Sequence, residues 1–176
     1  MIILVGPPGS LAPEVAAELS QLTGQEFADA QVAIDQLVGG AGPDSYTEER
    51  ARSVEHDVAF AVLSELTPDE NRILALGSGC LGNSREDADF ADVRTLLARL
   101  NEAGASVVHL TASLKALSHR NGLDGPRLAA VTSPRRIFFT QMTARAPLYE
   151  QASSITIDTS DRTPSDVAEE VLGRVS

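Results

Sequence analysis

Along the chain, short runs of aliphatic residues alternate with longer stretches whose apolar positions recur every three or four residues. The first run, Ile2–Val5, is unbroken and reads as a strand buried on both faces. Pro13–Leu22 carries Val15, Leu19 and Leu22 on one stripe, a helix that proline can open and Gly24 ends. Glu26–Asp29 is a short second strand and Gln31–Val38 a helix, followed by the glycine-rich loop Gly39–Asp44. Ser45-Tyr46-Thr47-Glu48 has the spacing of a capping box. It predicts a long helix to about Leu66, broken by Thr67-Pro68-Asp69.

The second half keeps this rhythm. Arg72–Leu76 reads as a strand running into Gly77-Ser78-Gly79, and Phe90–Ala103 as a helix closed by Gly104. Ser106–Leu110 is a strand and Ser113–His119 a short helix. Asn121–Thr132, with two glycines and Pro126, reads as a mobile loop. Pro134–Arg145 is helical, Ser154–Asp158 a last strand, and Pro164–Val175 a closing helix capped by Thr163. Five strands separated by helices predict one three-layer α/β/α domain over residues 1–176, its parallel sheet covered on both faces.

Composition narrows the partners. The formal net charge of −11 argues against nucleic acid and anionic membranes, which need a basic surface. It leaves room for a small anion held by local arginines. Thirteen arginines but a single lysine, Lys115, are present, so few residues could stand in for a missing functional lysine. The lone Cys80 excludes an internal disulfide, and His56, His109 and His119 have no metal-ligand spacing. His109 ends a strand and reads as a packed residue, and Cys80 as a small buried thiol. The leading apolar run lacks a basic segment before it and no stretch approaches a membrane span, so the expectation is a cytoplasmic protein.

The segment Gly6-Pro7-Pro8-Gly9-Ser10-Leu11-Ala12-Pro13 sits between the first strand and the first helix. That is the layout of a phosphate-binding loop, in which backbone N–H groups and a helix N-terminus face an anion. In the pattern GxxxxGK[ST] the second glycine, the lysine and the hydroxyl would fall on Leu11, Ala12 and Pro13.

Six stretches, in order, resemble the shikimate kinase family of P-loop kinases. Phe27-Ala28-Asp29-Ala30-Gln31 resembles its F-x-D-x-D stretch, Ala51–Glu55 its F-R-x-x-E helix and Leu76–Gly79 its L-G-G-G turn. Arg120 and Arg127 flank a loop like its lid, about residues 121–132. Arg145-Ala146-Pro147-Leu148-Tyr149 matches its R-x-P-L-Y motif, and Ile157–Pro164 is similar to its adenine-side loop.

The family transfers the γ-phosphoryl group of ATP to the 3-hydroxyl of shikimate with magnesium, a reaction that rests on positioning and charge neutralisation. The resemblance implies that Arg52 and Arg145 clasp a carboxylate, work suited to planar bidentate donors. It implies substrate contacts for Asp29, Gly77, Ser78 and Gly79. On the nucleotide or anion side it implies Gly6, Gly9, Ser10, Arg120, Arg127 and Arg162.

Ser78 stands where the family has glycine, and four further departures bear on catalysis. Gln31 stands where its second aspartate does, and an amide cannot usefully accept a proton. Leu11 places a Cβ where positive φ is wanted, at a cost of about 1–2 kcal/mol. Ala12 removes the cation on the terminal phosphates, and Pro13 both the magnesium hydroxyl and an N–H donor. If each loop loss weakens the transition state by about 2–4 kcal/mol, the product exceeds roughly 10³-fold. The expectation is an impaired or inactive relative that keeps a pocket for shikimate or a similar carboxylate. A working kinase with an atypical site for ATP and Mg2+ stays open as the alternative, as does an interaction module with a vestigial pocket.

Overall fold

The computed structural model describes residues 1–39, 47–67, 69–125 and 133–175. The elements run β1 (Ile2–Val5), α1 (Ala12–Thr23), β2 (Phe27–Asp29), α2 (Ala30–Gly39), α3 (Glu48–Glu65) and β3 (Ile73–Ala75). After a 3-10 turn at Ala88–Phe90 come α4 (Ala91–Glu102), β4 (Ser106–Thr111), α5 (Leu114–Arg120), α6 (Pro134–Ala152), β5 (Ile155–Asp158) and α7 (Pro164–Val175).

The five strands form one parallel sheet in the order β2-β3-β1-β4-β5. β1 lies in the middle, paired Ile3 to Leu74 on one side and Ile3 to Val107 on the other. Its successive residues point to opposite faces, which explains its unbroken hydrophobicity. Ile3 and Val5 join the core beneath α2, α3, α4 and α6, with Leu63, Leu97 and Tyr149. Ile2 and Leu4 join the core beneath α1 and α7, with Val15, Leu19 and Val171. The three layers expected from the periodicity are therefore present.

Helix ends follow local chemistry. Gly24 adopts φ 71° and its N–H donates to Ser20 O, ending α1. Thr163 and Asp166 satisfy each other's backbone N–H groups at the start of α7. At α3 the capping residue is Thr47, whose hydroxyl accepts from Arg50 N; the expected cap, Ser45, lies outside the described residues.

The main correction concerns α6. The helix was expected to stop at Arg145, yet it continues through Pro147 to Ala152. Proline removes one N–H and crowds the carbonyl four residues back, and burial of Leu148 and Tyr149 holds the following turn in place. Arg145 consequently lies inside a helix and not at its C-terminus.

Candidate functional site

The sheet order places the ends of β1, β2 and β3 side by side, and the loops leaving them form a cleft of about 400 Å³. It brings together Gly6–Glu14 from the phosphate loop and α1, Asp29 and Gln31 from the β2 end, Glu55 from α3, and Gly77 and Ser78 after β3. Among its described lining residues are three carboxylates, Glu14, Asp29 and Glu55, and no lysine, arginine or histidine.

The phosphate loop keeps an unusual backbone. Leu11, at the N-cap of α1, has φ 69° and is the only non-glycine residue with positive φ among the described residues. No side chain caps that helix start. Gly9 also has positive φ, and a Cβ there would come 2.7 Å from Asn121 Nδ2. That close approach is used. Asn121 Nδ2 donates to Pro8 O at 2.9 Å, and Arg120 Nη1 donates to Gly9 O at 2.9 Å.

Arg120 continues across to the turn after β5. Its Nη1 also donates to Thr159 Oγ1, and its Nη2 to Thr159 O at 2.6 Å and Ser160 O at 3.1 Å. One guanidinium thus ties the phosphate loop, the end of α5 and the β5–α7 turn together. Arg162, which the resemblance puts on the nucleotide or anion side, pairs with Glu170 and donates to Asp166 O, both on α7. Arg127 and residues 126–132 of the expected lid lie outside the described residues. Lys115 is exposed on α5.

At the end of β2, Asp29 Oδ1 accepts from Gln31 N, and Gln31 Nε2 donates to Asp35 Oδ1 at 2.8 Å. Burial pushes the Asp29 carboxyl up; the Gln31 N–H opposes this, and Asp35 and Glu14 reinforce it. Glu55 is also pushed up by burial, with Arg145 and Arg52 pulling the other way. Gly79 leaves room for Glu55, because a Cβ there would stand 2.3 Å from its Oε1.

Behind Glu55 lie the two arginines. Arg52 Nη2 is 3.0 Å from both oxygens of Asp87, and its guanidinium carbon is 5.2 Å above the Phe90 ring centroid. Arg145 donates from Nε and Nη2 to Asn83 Oδ1. Asp87 resists the upward push of burial because the Asn83 N–H and the Arg52 and Arg94 guanidiniums hold its carboxyl below the usual range. Tyr149 O–H donates to Ser78 O at 2.6 Å, fastening the glycine turn to α6.

The structure therefore gathers Gly6, Gly9, Ser10, Asp29, Gln31, Gly77 and Ser78 around one cleft. Arg52, Gly79 and Arg145 lie behind Glu55, while Arg120 is on the far side of the loop. Sequence reasoning missed Glu55, Asn83 and Asp87 as site residues. Asp87 carried no signal beyond belonging to the acidic stretch Glu86-Asp87-Ala88-Asp89. Cys80, beside the turn, is fully buried and its thiol is pushed up to about 12, an inert core residue. His109 is buried with its Nδ1 unpartnered among the described residues, and burial lowers its basicity. No described group of His, Cys, Asp and Glu forms a metal site. No described helix is long and apolar enough to cross a membrane.

Comparison with known proteins agrees with this fold. A family model described as shikimate kinase matches residues 13–176. The shikimate kinase of Mycobacterium tuberculosis is 30% identical over 177 residues, covering 98% of this chain and 92% of that protein. The one from Thermobifida fusca is 27% identical over 172 residues, covering 96% and 91%. Among solved structures, shikimate kinase from Acinetobacter baumannii in complex with shikimate superposes with a TM-score of 0.77 at 25% identity, covering 99% of this chain and 91% of that one.

Proposed function

The chain belongs to the shikimate kinase family, and from that premise we propose that it binds a small hydroxylated carboxylate such as shikimate without transferring phosphate from ATP. The observation that carries this reading is the cleft lining, with Glu14, Asp29 and Glu55 and no cation among its described residues. A polyphosphate would meet like charge there, in a site where unit charges a few ångströms apart interact strongly. ATP and magnesium do not fit these residues. Ala12 offers no ammonium and Pro13 neither hydroxyl nor N–H, while the hydrogen bonds of Arg120 are spent on three carbonyls and the Thr159 hydroxyl. Gln31 can hydrogen-bond a substrate hydroxyl but cannot take its proton.

The acceptor side supports a ligand better. Arg52 and Arg145 flank Glu55, with Gly77, Ser78 and Gly79 alongside, the positions the family register gives to acid and ring contacts. A structural neighbour was solved with shikimate. The reading is tested by incubating pure protein with ATP, magnesium and shikimate and following ADP release, which is expected at buffer background. Turnover that Arg145→Ala abolishes would overturn it in favour of an active kinase. Calorimetry with shikimate alone is expected to give saturable heat that Arg145→Ala weakens at least about tenfold. Its absence would leave only a vestigial pocket.

A further inference from the structure

Both arginines of the clasp are held by one short turn of the chain itself. Arg52 meets the Asp87 carboxylate at 3.0 Å, and Arg145 meets Asn83 Oδ1 at 2.7 and 3.2 Å. The turn is closed internally by Asn83 N donating to Asp87 Oδ2 at 2.9 Å. Arg94 fastens it from outside, through Leu81 O and Asp87 O. Chemically, the turn offers the arginines what a hydroxy acid would offer: a carboxylate for one and a neutral oxygen for the other.

We propose that Asp87, assisted by Asn83, is a tethered internal ligand of this clasp and sets its affinity and charge preference by competing with an incoming carboxylate for Arg52. The inference rests on the reading of the pocket as a carboxylate site. Arg52 and Arg145 face Glu55 and Asp87, with the exposed Asp89 a further 3.7 Å partner of Arg52, so the positive charge of the clasp is already compensated by the chain itself. Removing the Asp87 charge leaves the clasp one unit more positive and Arg52 with only its longer contact to Asp89. The Asp87 side chain is only 10% exposed, so the exchange takes place where water screens charge poorly. A competitor on the same chain cannot be diluted away. Apparent affinity then scales with the fraction of molecules in which Arg52 is free. A ligand without a charge gains far less from that freedom.

Titration calorimetry of shikimate and of its neutral methyl ester into the wild-type chain, Asp87→Asn and Asp87→Ala tests this, with each fold checked by thermal unfolding. Asparagine keeps the size and an acceptor oxygen, so it preserves the turn where alanine does not. Asp87→Asn is expected to tighten shikimate at least about tenfold and to move the ester by less than about twofold. Equal tightening of acid and ester would mean a merely loosened loop and would overturn the proposal, as would unchanged or weaker shikimate binding. If the wild type binds shikimate and Asp87→Asn changes nothing, the internal ligand fails alone and the carboxylate pocket stands. If no chain binds shikimate, both fail.

Discussion

Leu11 holds a left-handed backbone that costs a side-chain-bearing residue about 1–2 kcal/mol, while its half-buried side chain packs on the α1–α7 core. The two effects can be separated. Leu11→Ala loses packing and keeps the strain, whereas Leu11→Gly loses packing and relieves it. Urea denaturation is therefore expected to find Leu11→Gly more stable than Leu11→Ala by about 1 kcal/mol, the reverse of the usual helix order. Glu55 and Asp87 give pH signatures of opposite sign. Folded Glu55 binds its proton more tightly than the unfolded chain does, so its stabilisation is lost as pH rises through its raised value. Asp87 is depressed, so its contribution is present above the ordinary carboxylate value and lost as pH falls through its own. Melting temperature against pH should fall less steeply above the usual carboxylate range in Glu55→Gln. Loss of acid sensitivity should mark Asp87→Asn.

Among elements, the end of α5 does more than its seven residues suggest. Arg120 joins its helix to two loops through four hydrogen bonds, each worth about 1.5–3 kcal/mol when charged and less when exposed. Arg120→Ala is expected to cost about 2–4 kcal/mol and to raise amide exchange at residues 6–10 and 159–162 together. Exchange rising in only one of these segments would show that they are not coupled. These contacts span 111 and 39 residues of sequence and involve carbonyls, which leave no mark in a residue pattern. The elements themselves were legible, because Ile2–Val5 needs burial on both faces and Thr163 announces its helix. The extension of α6 past Arg145 has no local signal, since Pro147 disfavours it and the packing of Leu148 and Tyr149 sustains it.

For the molecule as a whole, alternation of strands and helices implied the three layers, but the strand order depended on long-range pairing that local pattern does not encode. The candidate site was half legible. Residues near loop glycines could be assigned, while the Arg52–Asp87 pair joins a helix to an irregular loop 35 residues away. A net charge of −11 repels itself in the compact state. Raising sodium chloride from about 10 to about 150 mM should therefore raise the melting temperature by roughly 2–4 °C. A fall would mean that ion pairs such as Arg52–Asp87 outweigh the overall repulsion.

The central strand β1 is paired on both edges, and the phosphate loop grows directly from its end. Any lineage that keeps this core also keeps the path of Gly6–Pro13, whatever side chains selection leaves on it. Divergence at positions 11 to 13 is therefore cheap to make and short to undo. Return of the loop alone to the pattern GxxxxGK[ST] needs three replacements, with no insertion, no deletion and no new backbone turn.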